Sequence, residues 1–201
     1  MPVRSVFITL ICYTSIMHLI LIRHAETEEN RLGIIQGQRP GQLSELGKRQ
    51  VADAAKTLKG EPVKAIFSSD LQRCIDTAQP LKKLYKKVPF KLTPDLREFS
   101  YGYLQGLPLG RFIKLVPKIS FVLHLRLPGG ESYSQVRSRL ISFLNKLYAS
   151  YPDSTVLLVT HGGPIRIIRL LLDKNIKPTT TQKVTNCSVW RLTMDKKLKD
   201  T

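Results

Sequence analysis

The chain has 201 residues, with 32 Lys and Arg against 15 Asp and Glu, a formal net charge of +17, and 42% hydrophobic residues. That length suits one domain with a core of its own, and the composition excludes collagen-like, repeat and disordered classes. The cysteines Cys12, Cys74 and Cys187 lie far apart and away from histidine in metal-ligand spacing, which excludes a disulfide framework and a structural zinc site and fits free thiols in a reducing compartment. The positive charge reads first as a solvated lysine surface, as at Lys82, Lys83, Lys86 and Lys87 and at Lys196, Lys197 and Lys199. Attraction to polyanions is the sharper alternative, but no nucleic-acid-binding motif accompanies it.

Residues 3–22 read VRSVFITLICYTSIMHLILI, an apolar run behind one arginine in the manner of a signal peptide or short anchor. No A-x-A cleavage site follows, and Thr9, Tyr13, Thr14, Ser15 and His18 keep the run short of a span of about 20 apolar residues. Residues 19–22 are read instead as a strand buried on both faces. Met17 is then a natural start for a domain over 17–201, with 1–16 as an extension outside the fold; a membrane tether is the alternative. Residues 25–47 form a polar loop with one short helix. A helix runs from 44 to about 58 with Val51, Ala54, Ala55 and Leu58 on one face. A strand follows at 65–67, then a helix capped by Ser68, Ser69 or Asp70 and running to about Tyr85, then a strand at 90–93. Residues 101–128, apolar, basic and broken by Pro117, are read as a helical lid-like insert. A turn at 128–130, a helix over 133–148 behind a Glu131-Ser132 cap, and a buried strand at 156–159 come next. A helix over 162–172 with Pro164 at its start and an edge strand over 184–193 complete the chain. Strands alternating with helices predict a three-layer α/β/α sandwich with a mainly parallel central sheet.

Ligands of such sheets sit beyond the carboxyl ends of the strands. Arg23 and His24 directly follow one predicted strand, Arg73 stands in the first turn of a helix after another, and His161 ends a third. Taken singly each has a plain alternative: Arg73 as a helix-surface residue, Glu98 as an ion pair with Arg97, His161 as a strand-end turn. Together they suit phosphate-ester chemistry. Arg23 and Arg73 are planar, permanently charged forks for phosphoryl oxygens. His24 can attack phosphorus if one ring nitrogen is unprotonated and the other is held by an acceptor such as a carbonyl. His161 would donate to the equatorial oxygens, aided by backbone N–H groups at Gly162 and Gly163. Glu98 is the candidate general acid and base. No metal or other cofactor is called for.

The motifs LIRHAETEEN, SSDLQRCIDTA, PDLREFSYGYLQG, PGGESYSQVRSRL, VTHGGPIR and NCSVWRL, spanning nearly all of 17–193, resemble the phosphoglycerate mutase-like branch of the histidine phosphatase superfamily. The resemblance implies that His24 becomes phosphorylated, that Arg23, Arg73 and His161 form the phosphate pocket, and that Glu98 is the acid. It also implies that Asn30, Gln36 and Gly37 contact phosphate or substrate, beside the Gly162 N–H read from the helix start. Ala25 replaces a commoner glycine, Pro40-Gly41-Gln42 a more usual Asp-x-Pro, and Gln105 a frequent acidic residue. The compact chain favours a cytoplasmic phosphatase of a small phosphorylated metabolite, without specific nucleic-acid or stable membrane partners. Mutase-type phosphoryl transfer and a non-catalytic polyanion-binding module are the alternatives. Arg111, Lys114, Lys118 and Arg126 in the insert favour a substrate with a second anionic group.

Overall fold

In the computed structural model, residues 15–115, 126–176 and 183–200 are described. The expectations for 1–14, for Pro117, Lys118 and His124 in the insert, and for Cys12 lie outside them. Five strands form one sheet in the order β3-β2-β4-β1-β5: β1 Met17–Arg23, β2 Val63–Ser69, β3 Phe90–Thr93, β4 Thr155–Thr160 and β5 Val189–Met194. The pairs β3·β2, β2·β4 and β4·β1 are parallel, and β5 runs antiparallel along the free side of β1. β1 and β4 are therefore inner strands, and their apolar runs are buried on both faces as the sequence predicts.

The helices are α1 Glu28–Arg31, α2 Glu45–Thr57, α3 Gln72–Leu84, α4 Leu109–Leu115, α5 Tyr133–Ser150 and α6 Gly162–Leu172. Strand residues alternate between two cores. Leu19, Leu21, Val156 and Leu158 pack with Val136, Leu140 and Leu144 of α5 and Ile165 and Ile168 of α6. Ile20, Ile22, Leu157 and Val159 pack on the other face with Cys74, Ala78 and Leu81 of α3 and with Leu58 after α2. Period-2 alternation in the strands against helical faces on each side is the three-layer α/β/α sandwich.

Local chemistry sets several boundaries. Ser44 Oγ accepts from Gly47 N to start α2, and Ser132 with Gln135 forms a reciprocal capping box on α5. Four expectations are corrected. The cap of α3 is Leu71, with no side-chain bond, because Asp70 forks onto Arg97 (2.5 and 2.7 Å) and the Ser69 hydroxyl lies against His161. Arg97 therefore pairs with Asp70, not with Glu98. Pro164 occupies the third position of α6, behind Gly162 and Gly163. The last strand begins at Val189, because residues 185–188 close a turn in which Ser188 N reaches Thr185 O and Cys187 N reaches Arg23 O. Within 101–128, α4 is helical as expected, and the segment leading to it is pinned to the loop after α1 by Gly106 N to Ile35 O and Leu109 N to Gly33 O.

Candidate active site

The register of β1 against β4 sets Arg23 beside Thr160, so His24 and His161 emerge side by side from the carboxyl edge. His24 N donates to Thr160 O (2.8 Å), and the two imidazoles lie 5.1 Å apart between centroids, tilted by 59°. Both side chains are buried. His24 Nδ1–H donates to the carbonyl of Ala25 (2.8 Å), which fixes the tautomer and leaves Nε2 with a free lone pair. The Ala25 peptide is itself held, its N–H donating to Thr77 Oγ1 (3.0 Å) while Thr77 Oγ1 donates to Arg73 O (2.6 Å). Thr77 escaped sequence analysis; it sits one helical turn after Arg73 on α3, and only packing shows what it holds.

Burial first, then the charges of Arg73 and Arg23, hold His24 well below the ordinary histidine pKa. Burial and the same arginines, with Arg73 ahead of Arg23 and His24 between them in effect, do so for His161. Both rings are therefore neutral near pH 7, the state a nitrogen nucleophile needs.

Arg73, on the first turn of α3, is almost wholly buried. Its Nη1 donates to Arg39 O (2.9 Å), its Nη2 to Gly37 O (2.6 Å) and its Nε to His161 Nδ1 (3.2 Å). With Nδ1 accepting, His161 carries its proton on Nε2, which points to Ser69 Oγ at 2.9 Å. The imidazole expected to donate straight to phosphoryl oxygens is thus engaged on both nitrogens, and it orients the Arg73 fork. Cys74 Sγ packs 3.3 Å from His161 Nε2, and burial pushes its thiol up to about 12. Arg23 Nη1 donates to Val184 O (2.6 Å), while its buried Nε has no partner among the described residues.

Glu98 follows the 3₁₀ turn Pro94–Leu96 after β3. Its Oε1 accepts from Phe99 N (2.9 Å) and its Oε2 from Gly163 N (3.1 Å), which carries it across to the start of α6. A β-carbon at Gly163 would collide with Glu98 Oε1 and lie 2.6 Å from the Phe99 ring. Arg139 of α5 grips the same segment, donating to Asp95 O (2.6 Å), Arg97 O (2.8 Å) and Glu98 O (3.3 Å), and to Glu131 Oε1 (3.1 Å). Glu131 also accepts from Ser100 N (2.8 Å) and Gln38 Nε2 (3.1 Å), so the cap of α5 is Ser132 alone and Glu131 braces the Glu98 loop.

The other resemblance-implied residues are drawn into one polar network. Asn30 Nδ2 reaches Gln36 Oε1 (3.4 Å), Gln36 Nε2 donates to Glu29 (3.0 Å), and Asn186 Nδ2 donates to both His24 O (3.0 Å) and Asn30 Oδ1 (3.1 Å). Gly37 has φ +56, and the Gln105 side chain fills the space a β-carbon would need. Gln105 Oε1 accepts from Gln38 N (2.7 Å), giving this departure from the motif a structural part. Gly162 opens α6, and a β-carbon there would lie in contact with the Arg23 and Arg166 guanidiniums. Tyr101 stacks with Phe99 (6.0 Å) and meets Phe112 of α4 edge-on (5.1 Å). Of the insert's cations, Arg111 and Lys114 are exposed on α4, and Arg126 is tied to Gly130 O at 2.8 Å. A cavity of about 560 Å³ that includes His18, Thr155 and Arg191 opens at the amino ends of β1 and β4, away from all of this chemistry. Among the described residues no group of His, Cys, Asp or Glu could hold a metal ion.

Residues 19–200 match the family model of the histidine phosphatase superfamily (branch 1). The chain belongs to the histidine phosphatase superfamily. As a histidine phosphatase it hydrolyses phosphate monoesters. It is 34% identical over 183 residues to the metal-independent phosphoserine phosphatase of Arabidopsis thaliana, covering 88% of this chain and 76% of that one. It is 31% identical over 153 residues to phosphoserine phosphatase 1 of Hydrogenobacter thermophilus, covering 74% and 72%. The structure of mycobacterial glucosyl-3-phosphoglycerate phosphatase superposes on this histidine phosphatase with a TM-score of 0.75 at 30% identity, over 89% of this chain and 90% of the other. Among the described residues no helix is long and apolar enough to cross a membrane.

Proposed function

We propose that this enzyme hydrolyses a small phosphorylated metabolite in the cytoplasm, without a metal, through a phosphohistidine on His24. The observation that carries the reading is the held tautomer: His24 Nδ1–H is spent on Ala25 O, and the bare Nε2 belongs to a ring that burial, Arg73 and Arg23 keep unprotonated. Nε2 attacks phosphorus, the ester P–O bond breaks, and the leaving alkoxide takes a proton from Glu98. Water then attacks the phosphohistidine, Glu98 takes the proton of that water, and inorganic phosphate departs with His24 restored. Arg23 and Arg73 supply the positive charge on the phosphoryl oxygens that a metal would otherwise bring, and burial strengthens it. His161 holds Arg73 Nε and flanks the nucleophile; Gly162 adds a helix-start N–H. Asn30, Gln36 and Gly37 shape the loop that receives Arg73. The catalytic domain on this reading starts at Met17, with 101–128 as its insert, and free Cys74 and Cys187 suit a reducing compartment.

A phosphate-release screen with phosphoserine, 3-phosphoglycerate and para-nitrophenyl phosphate tests the reading, with His24→Ala as blank. Activity is expected to persist in EDTA, to vanish in His24→Ala, and to yield an acid-labile, base-stable phosphoprotein on rapid quench. Turnover retained in His24→Ala, or lost in EDTA, would overturn it.

A further inference from the structure

Arg166 closes the VTHGGPIR motif, yet it is a cation to which the phosphoryl chemistry above gives no part. It lies on α6, one turn after Gly162, with its side chain exposed. A single point, the β-carbon position at Gly162, is 3.8 Å from Arg23 Nε and 4.0 Å from Arg166 Nη1. Both guanidiniums therefore border the same patch of helix start, and Arg23 Nε there is the buried donor left without a partner among the described residues. Arg166 makes no ion pair among the described residues, whereas Arg97, Arg137, Arg139 and Arg191 all do. Its charge is felt in the site: after burial and the opposing effect of Glu98, it helps lower Arg23. Three like charges, Arg23, Arg73 and Arg166, thus converge around one carboxylate, Glu98.

We propose that Arg166 binds a second anionic group, a carboxylate or a further phosphoryl, on the alcohol part of the substrate, and so selects doubly anionic phosphomonoesters. Exposure places it toward the mouth rather than at the reacting phosphorus: Arg166 is exposed, Arg23 half-buried and Arg73 buried. Of the described insert cations, Arg126 is tied to Gly130 O, and Arg111 and Lys114 stand on α4 rather than on the helix that starts beside Arg23. A planar fork suits either anion, and lysine at the same place would keep the charge but lose the paired geometry.

The inference rests on the phosphatase reading above, and one experiment separates the two. Wild type, Arg166→Ala, Arg166→Lys and Lys114→Glu are assayed on para-nitrophenyl phosphate, 3-phosphoglycerate and fructose 1,6-bisphosphate. In Arg166→Ala the ratio of kcat/KM for a doubly anionic substrate to that for para-nitrophenyl phosphate is expected to fall about 10- to 100-fold. Arg166→Lys should fall less, and Lys114→Glu should hold the wild-type ratio. The substrate whose ratio falls further identifies carboxylate or phosphoryl as the partner. An unchanged ratio in Arg166→Ala, equal losses on all substrates, or a ratio that tracks Lys114→Glu instead would overturn the role of Arg166. Failure of wild type on every substrate would instead strike the phosphatase reading.

Discussion

His24 is held by a short relay: its Nδ1 on Ala25 O, the Ala25 amide on Thr77, and Thr77 on the carbonyl of Arg73. Because burial, Arg73 and Arg23 lower its pKa, the nucleophile loses activity only when acid protonates Nε2, and that occurs below the ordinary histidine range. The acid limb of kcat/KM is therefore expected below pH ~6.5, the unperturbed histidine value. Arg73→Gln removes one of the two charges and should move the His24 titration, followed by imidazole NMR, upward; a downward or absent shift would show that the arginines do not set it. Glu98 is tested by leaving group. Glu98→Gln should lower turnover of an alkyl phosphate by about 10²–10⁴-fold and that of para-nitrophenyl phosphate, whose phenolate needs little protonation, much less. Equal losses on both would deny it the role of acid. The plain alternative for Glu98, an ion pair with Arg97, is gone, since Arg97 forks onto Asp70.

At the scale of elements, the site depends on parts that cross from one layer to another. Arg139 on α5 ties three successive carbonyl regions, at Asp95, Arg97 and Glu98, to the helix layer, and Glu131 braces the same segment through Ser100 N. Arg139→Met should keep the apolar contact of the stem and lose the fork. It is expected to lower kcat by about 10- to 100-fold, as small misplacements of a catalytic group do, with thermal unfolding moved far less. A large fall in Tm with unchanged kcat would make Arg139 merely structural. The start of α6 is the second crossing. Gly163→Ala places a methyl against Glu98 and Phe99, so the loop after β3 must withdraw. Loss of activity together with a lowered Tm is the expected result, and an active, equally stable variant would mean the two elements are not in close contact.

Across the whole molecule, two neutral imidazoles are buried at the junction of β1 and β4. Unfolding exposes both, and the unfolded chain takes their protons first as pH falls. Stability contributed by keeping them neutral is thus complete above the unfolded histidine pKa and declines as pH drops below it, by up to ~1.4 kcal/mol per pH unit for each group. Urea unfolding between pH 7 and 5 should show that slope, reduced by one proton in His24→Ala. The sandwich itself was legible from residue patterns: apolar runs of strand length at 19–22 and 156–159, helical faces between them, and Arg23, His24, Arg73 and His161 each just past a strand. Those signals are local, set by side-chain periodicity and by the steric and capping preferences of neighbours, so the chain alone determines the layers and which edge carries the chemistry. What lies out of reach of local pattern is every bond that closes over long separation. Ala25 meets Thr77 52 residues away, Asn186 meets His24 across 162, and His161 meets Arg73 across 88. Only the tertiary fold decided which nitrogen of His24 is bare, that His161 spends both of its nitrogens within the protein, and that Arg166 stands beside Arg23, because each depends on where packed layers bring distant groups within hydrogen-bonding or Coulombic range.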